Sequence, residues 1–133
     1  MNQPSATAAS STRAGYPPII ETILDRHLGP GPHKAALRNV APDDPADSLA
    51  GLLDDAARDA ARAIADLGRA LRGTRADLDD ALQELEIGGS LEHRVGRHNL
   101  PGLAARYTAT LCHLDAAART YAAYRTAIAV DRA

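Results

Sequence analysis

A seven-residue apolar repeat constrains this chain more than any other feature. Between residues 45 and 87, Ala57, Ile64, Leu71, Leu78 and Leu85 recur every seven residues. A second set, Leu53, Ala60, Leu67, Thr74 and Ala81, recurs at the same interval. Together they alternate spacings of three and four, which places one apolar stripe along a helix and is the pattern of helices that pair. Residues 100–131 repeat it with Tyr107, Leu114, Tyr121 and Ile128 as one set and Leu103, Thr110, Ala117 and Tyr124 as the other.

The residues available to fill such seams are small. The chain has 29 Ala and 16 Leu but no Phe or Trp. Ala is the strongest helix former, and the β-branched and aromatic residues that strands favour are sparse. The expected fold is therefore all-α: a long antiparallel, Ala-rich helical hairpin with a short N-terminal docking helix. It forms a three- to four-helix bundle that dimerisation could complete. Alanine seams bring backbones close but bury little surface per residue at ~25 cal/mol per Å². A thin hairpin is weak alone, which favours a homo-oligomer or a protein partner.

Local signals divide the chain. Residues 1–15 are polar and small and predict a disordered tail. Tyr16-Pro17-Pro18 opens a helix over about 17–28, because proline suits a first helical turn. Ile20, Ile23, Leu24, His27 and Leu28 share one face of it, and Gly29-Pro30-Gly31-Pro32 ends it. Residues 29–47 read as loop, with a turn or two of helix around Ala35 to Val40. Asp44 can cap the first long helix and Pro45 fits its first position. Gly73-Thr74-Arg75-Ala76-Asp77 resembles a helix end followed by a new cap. The repeat stays in register through it, so a continuous or slightly kinked helix over 45–87 is preferred to a break near Gly73. Gly88-Gly89-Ser90 ends that helix, a short turn spans 91–97, and the last helix covers about 100–131. Residues 16–133 then form a single domain. At 1.5 Å per residue the two long helices would measure roughly 64 and 46 Å. The first overhangs near Leu49, Leu52, Leu53 and Ala56, and the Ile20–Leu28 arm, a second copy or a partner must cover it.

Charge narrows the function. The formal charge is −2, so no global positive excess favours a polyanion. Fourteen Arg against one Lys, Lys34, reads as GC-rich codon usage, which a bacterial source would fit. Arg58, Arg62, Arg69 and Arg72 share a face with Asp55, Asp59 and Asp66, which neutralise it at helical spacing. Arg94, Arg97, His98 and Arg106 make the inter-helix turn basic and form the candidate anion site. The acidic run Asp77, Asp79, Asp80, Glu84 and Glu86 lies beside them. No apolar leader and no span of ~18 apolar residues is present, so a cytoplasmic protein is expected.

Catalytic patterns are lacking. There is no phosphate-binding glycine loop and no dinucleotide fingerprint. His93 and His98 are five apart rather than the four that align ligands on a helix, and Cys112 and His113 diverge around theirs. Neither these nor Glu92 makes a metal site. The expectation is thus no enzyme, no cofactor and no metal. The chain reads as a helical protein–protein interaction module, an adaptor, regulator or assembly subunit. Its expected contacts are Ile20, Ile23, Leu24, Leu49, Leu53, Ile64, Leu67, Tyr121, Tyr124 and Ile128. The alternative is a DNA-binding accessory or transcriptional regulator using the basic turn and the Arg face. A small-ligand or metal sensor is the weaker third class.

Overall fold

The structure, a computed structural model, describes residues 15–40, 44, 46–88 and 97–132. Among these, four helices and no strand occur: α1 (Pro18–Leu28), α2 (His33–Arg38), α3 (Asp47–Ile87) and α4 (Leu100–Arg132). The expected N-terminal tail apart from Gly15, Pro45 and the short turn expected at 91–97 apart from Arg97 lie outside the described residues. No helix is long and apolar enough to cross a membrane.

The helix ends follow from local chemistry. Pro17 accepts hydrogen bonds from the Ile20 and Glu21 amides at the start of α1. Gly29 ends the helix with φ +80°, a conformation that costs glycine least. Asp44 Oδ1 accepts the Ala46 amide at 2.9 Å, and the Asp44 carbonyl accepts that of Asp47. Asn99 caps α4 by accepting the Gly102 amide on its side-chain oxygen at 3.2 Å.

Gly73 does not end a helix: α3 runs unbroken through it. A Cβ there would lie 2.6 Å from the His98 ring. Glycine at this position admits the ring to the helix surface, a use that its resemblance to a cap signal conceals.

The chain divides into two compact units, Met1–Ala61 with Thr110–Ala133, and Arg62–Ala109. The first contains α1, α2, the start of α3 and the end of α4. Its core is Tyr16, Ile20, Ile23, Leu24, Leu37, Leu53, Leu114 and Tyr121, closed by Ala50, Ala56, Ala57, Ala60 and Ala118. Ile20, Leu24, Leu53 and Leu114 are fully buried. The Tyr16 hydroxyl donates to Asp54 of α3, while His27 Nε2–H donates to Asp115 of α4 at 2.7 Å. The α1 arm is therefore pinned at both ends within its own chain. The overhang of α3 past α4 expected at Leu49, Leu52, Leu53 and Ala56 does not occur, because His113, Ala117 and Thr120 of α4 line the same groove; Ala50, Leu53 and Ala56 are buried, and Leu52 is exposed.

The second unit is built from the rest of α3 and the first turns of α4. Asp66 pairs with Arg106 and Asp77 with Arg97, so the two segments run antiparallel. Its buried α3 residues are Ala63, Ala70, Asp77 and Ala81. No large apolar side chain of this unit is fully buried among the described residues.

Candidate functional site

The apolar repeat of α3 behaves differently along its length. Ala50 and Ala57 are buried in the first unit. Seven-residue steps from Ala57 lead to Ile64, which is half-buried, and then to Leu71, Leu78 and Leu85. These three are 51%, 49% and 64% exposed, and Leu82, one turn from both Leu78 and Leu85, is 63% exposed. The sequence expectation placed Leu71, Leu78 and Leu85 inside the hairpin seam. The buried line instead runs one residue earlier, through Ala56, Ala63, Ala70 and Asp77.

The physical reason is the number of neighbours. Around residues 50–57, α3 is flanked by α4 on one side and by the α1–α2 segment on another. Asp54 marks the second side, taking the Tyr16 hydroxyl and facing Arg38 Nε at 4.0 Å. Among the described residues of the second unit, α4 is the one helix beside α3, and the Ala63–Ala70–Asp77 line is buried together with Ala81. The adjacent line therefore loses its cover where its residues change from alanine to leucine.

The outer edge of this leucine face is charged. By 100° per residue, Arg72, Arg75, Asp79 and Glu86 lie beside the leucines, on the side away from the buried line. All four are exposed, and none takes part in an ion pair among the described residues.

The expected contact residues fall into two groups. Ile20, Ile23, Leu24, Leu53 and Tyr121 are buried in the first unit and already covered there. Leu49, Ile64, Leu67, Tyr124 and Ile128 are half-buried. Leu49 joins Leu52, Leu53, Ala56, His113 and Ala117 around a shallow groove of about 360 Å³. Arg125 lies over the Tyr121 ring, 5.7 Å from its centroid, and closes that aromatic from outside.

The candidate anion site is largely self-neutralised. Arg97 donates to both oxygens of Asp77, at 2.7 and 2.6 Å, and His98 Nε2 lies 3.1 Å from Oδ2. Arg106 reaches Asp66 at 2.7 Å. Arg94 lies outside the described residues. The Arg97 hydrogen bonds hold the Asp77 carboxyl below its ordinary value of 3.8, against the opposing effect of desolvation. On the Arg face, Arg58 pairs with Asp55 and Asp54, and Arg69 pairs with Asp66.

Three polar centres were not legible as such. Asp54 and Asp77 are buried carboxylates within apolar lines, between Ala50 and Ala57 and between Ala70 and Ala81. Their position in a line of alanines was the available signal. Burial and the Asp54 hydrogen bond push the Tyr16 hydroxyl well above its usual range. Glu21, Asp25 and His33 bring one potential ligand atom each within 4.8 Å of the others. Their arrangement follows from internal hydrogen bonds: buried His33 Nε2–H donates to Asp25 at 2.6 Å, and Glu21 accepts the Tyr16 amide at 3.2 Å. The histidines and cysteine weighed from the sequence do not join them: Cys112 and His113 are exposed, His98 turns to Asp77, and Glu92 and His93 lie outside the described residues.

Comparison with protein-family models, curated protein sequences and solved structures finds no match for this chain.

Proposed function

We propose that this protein is a helical interaction module, an adaptor, regulator or assembly subunit that binds a helix on the leucine face of α3. One observation carries the reading. Leu71, Leu78, Leu82 and Leu85 form a continuous exposed stripe at coiled-coil spacing on a helix whose inner face is nearly all alanine. Contiguous apolar surface of this kind marks interfaces rather than free protein surface. Its spacing is that of anchors for a partner helix laid alongside. The Leu49–Leu52 groove offers a second, smaller patch in the first unit.

A photo-crosslinking amino acid at position 82 tests this in cells that make the protein. The expected result is one discrete adduct, to this chain or to another protein, that is absent when the same residue is placed at exposed Ala76 or Ala104. Equal, diffuse labelling at all three positions would remove the proposal.

A further inference from the structure

We infer that the occupant of the leucine face is a second copy of this chain, with the two α3 helices antiparallel and Leu78 at the two-fold axis. This rests on the reading of that face as a docking surface and adds the partner and its register. In such a pair each residue faces the one equally far on the other side of Leu78. Leu71 and Leu85 are each seven residues from Leu78, so Leu71 of one copy meets Leu85 of the other at both ends, and Leu78 meets its counterpart. Leu82 lies level with Thr74, a small residue that admits it.

The charged edge has the same symmetry. In an antiparallel pair related by a two-fold axis, like edges of the two helices lie together. Arg72 and Arg75 occupy the N-terminal half of the edge, and Asp79 and Glu86 the C-terminal half. Arg72 lies six residues before Leu78 and Glu86 eight after it; Arg75 lies three before and Asp79 one after. Each Arg is thus offset from an acid of the other copy by two residues, about 3 Å along the axis, within reach of its side chain. Four ion pairs form across the dimer from groups that are in none within one described chain. A parallel pairing would lay this edge against the Thr74–Ala81 edge, which offers no opposite charge. Exposed ion pairs add little affinity, but they select orientation and partner. The leucine face spans only about 21 Å of helix, and small interfaces belong to weak complexes. The dimer is therefore a reversible one.

Sedimentation of the full chain from about 10 to 500 µM reads it directly. The wild-type chain shifts from monomer to dimer across this range. Leu78→Glu sets two carboxylates together at the axis and weakens association about tenfold or more, while helix content by circular dichroism stays unchanged. The pair Arg72→Glu/Arg75→Glu makes one edge wholly acidic, and Asp79→Arg/Glu86→Arg makes it wholly basic. Each associates poorly alone, and an equimolar mixture forms a heterodimer at wild-type concentrations. A wild-type chain monomeric at 500 µM, or a mixture that fails to associate, overturns the second-copy proposal. A discrete hetero-adduct at position 82 would then leave the interaction module standing with another protein as its partner.

Discussion

The two units use the same helices to opposite ends. In the first, large side chains point inward: Ile20, Leu24, Leu53 and Leu114 are fully buried and alanines close the gaps. In the second, alanines and Asp77 point inward, and four leucines point out. Amphipathic patterning alone does not separate these cases, because both stretches of α3 carry the same repeat. The difference lies in how many elements pack against the helix. Among the described residues, the first unit has four helical segments to share its apolar faces, and the second has two. A two-segment unit with an alanine seam gains little from its own burial, so its stability is expected to depend more on polar anchors and on whatever occupies its outer face.

The strongest test compares leucines in the two units. Leu53→Ala removes a fully buried side chain and is expected to cost about 2–5 kcal/mol. Leu78→Ala removes a half-exposed one and should cost under about 1 kcal/mol in the monomer. Urea unfolding near 1 µM, where the proposed dimer is dissociated, measures both. Equal costs would break the comparison.

Next comes the polar anchor of the first unit. Tyr16→Phe leaves the buried Asp54 carboxylate short of a donor and should cost about 1–3 kcal/mol. Since folding raises the Tyr16 value, the stability it contributes is present below about pH 10 and lost as the pH rises further. In wild type, the Tyr16 phenolate absorbance should appear late in an alkaline titration. In Tyr16→Phe, the late-titrating component disappears.

Acid should act on the anchors of both units. Asp77 is held below 3.8 chiefly by Arg97, and Asp115 chiefly by His27. A depressed folded value contributes stability that is present above 3.8 and lost as the pH falls below it. The second unit has less core to fall back on. Hydrogen exchange in residues 100–109 should therefore rise at higher pH than in residues 114–121 during an acid titration. Arg97→Ala should move the Asp77 carboxyl back toward 3.8, read by its carbon-13 shift against pH.

The smallest effect is expected at Gly73. Alanine there gains up to about 1 kcal/mol of helix propensity but displaces the His98 ring, which a Cβ would meet at 2.6 Å. The net change should stay within about 1 kcal/mol, with loss of the nuclear Overhauser contact between the His98 ring and residue 73. Destabilisation well beyond that would mean that His98 holds the two segments more firmly than its single hydrogen bond to Asp77 implies.

Much of the architecture was legible because it depends on local rules. Asp44 read as a helix start and Gly29 as a stop because capping and positive φ act over a few residues. The all-helical class followed from alanine and the repeat. The candidate site was legible only in part. Leu71, Leu78 and Leu85 were recognised as a line, but they were assigned to the inside of the hairpin, and Leu82 was left out. Ile20, Leu24 and Leu53 were read as available contacts and are covered instead. A periodic pattern defines a face but not what lies against it. Gly73 posed the same difficulty, because a glycine that admits a ring looks like one that ends a helix.

Spacing and residue type alone therefore determined that this chain forms long helices, where they begin, and which positions share each face. Tertiary structure decided which of those faces are covered. That choice depends on which distant segments meet α3 at each level: α1, α2 and α4 at one end and, among the described residues, α4 at the other. The same seven-residue line is core where it is flanked on two sides and surface where it is flanked on one.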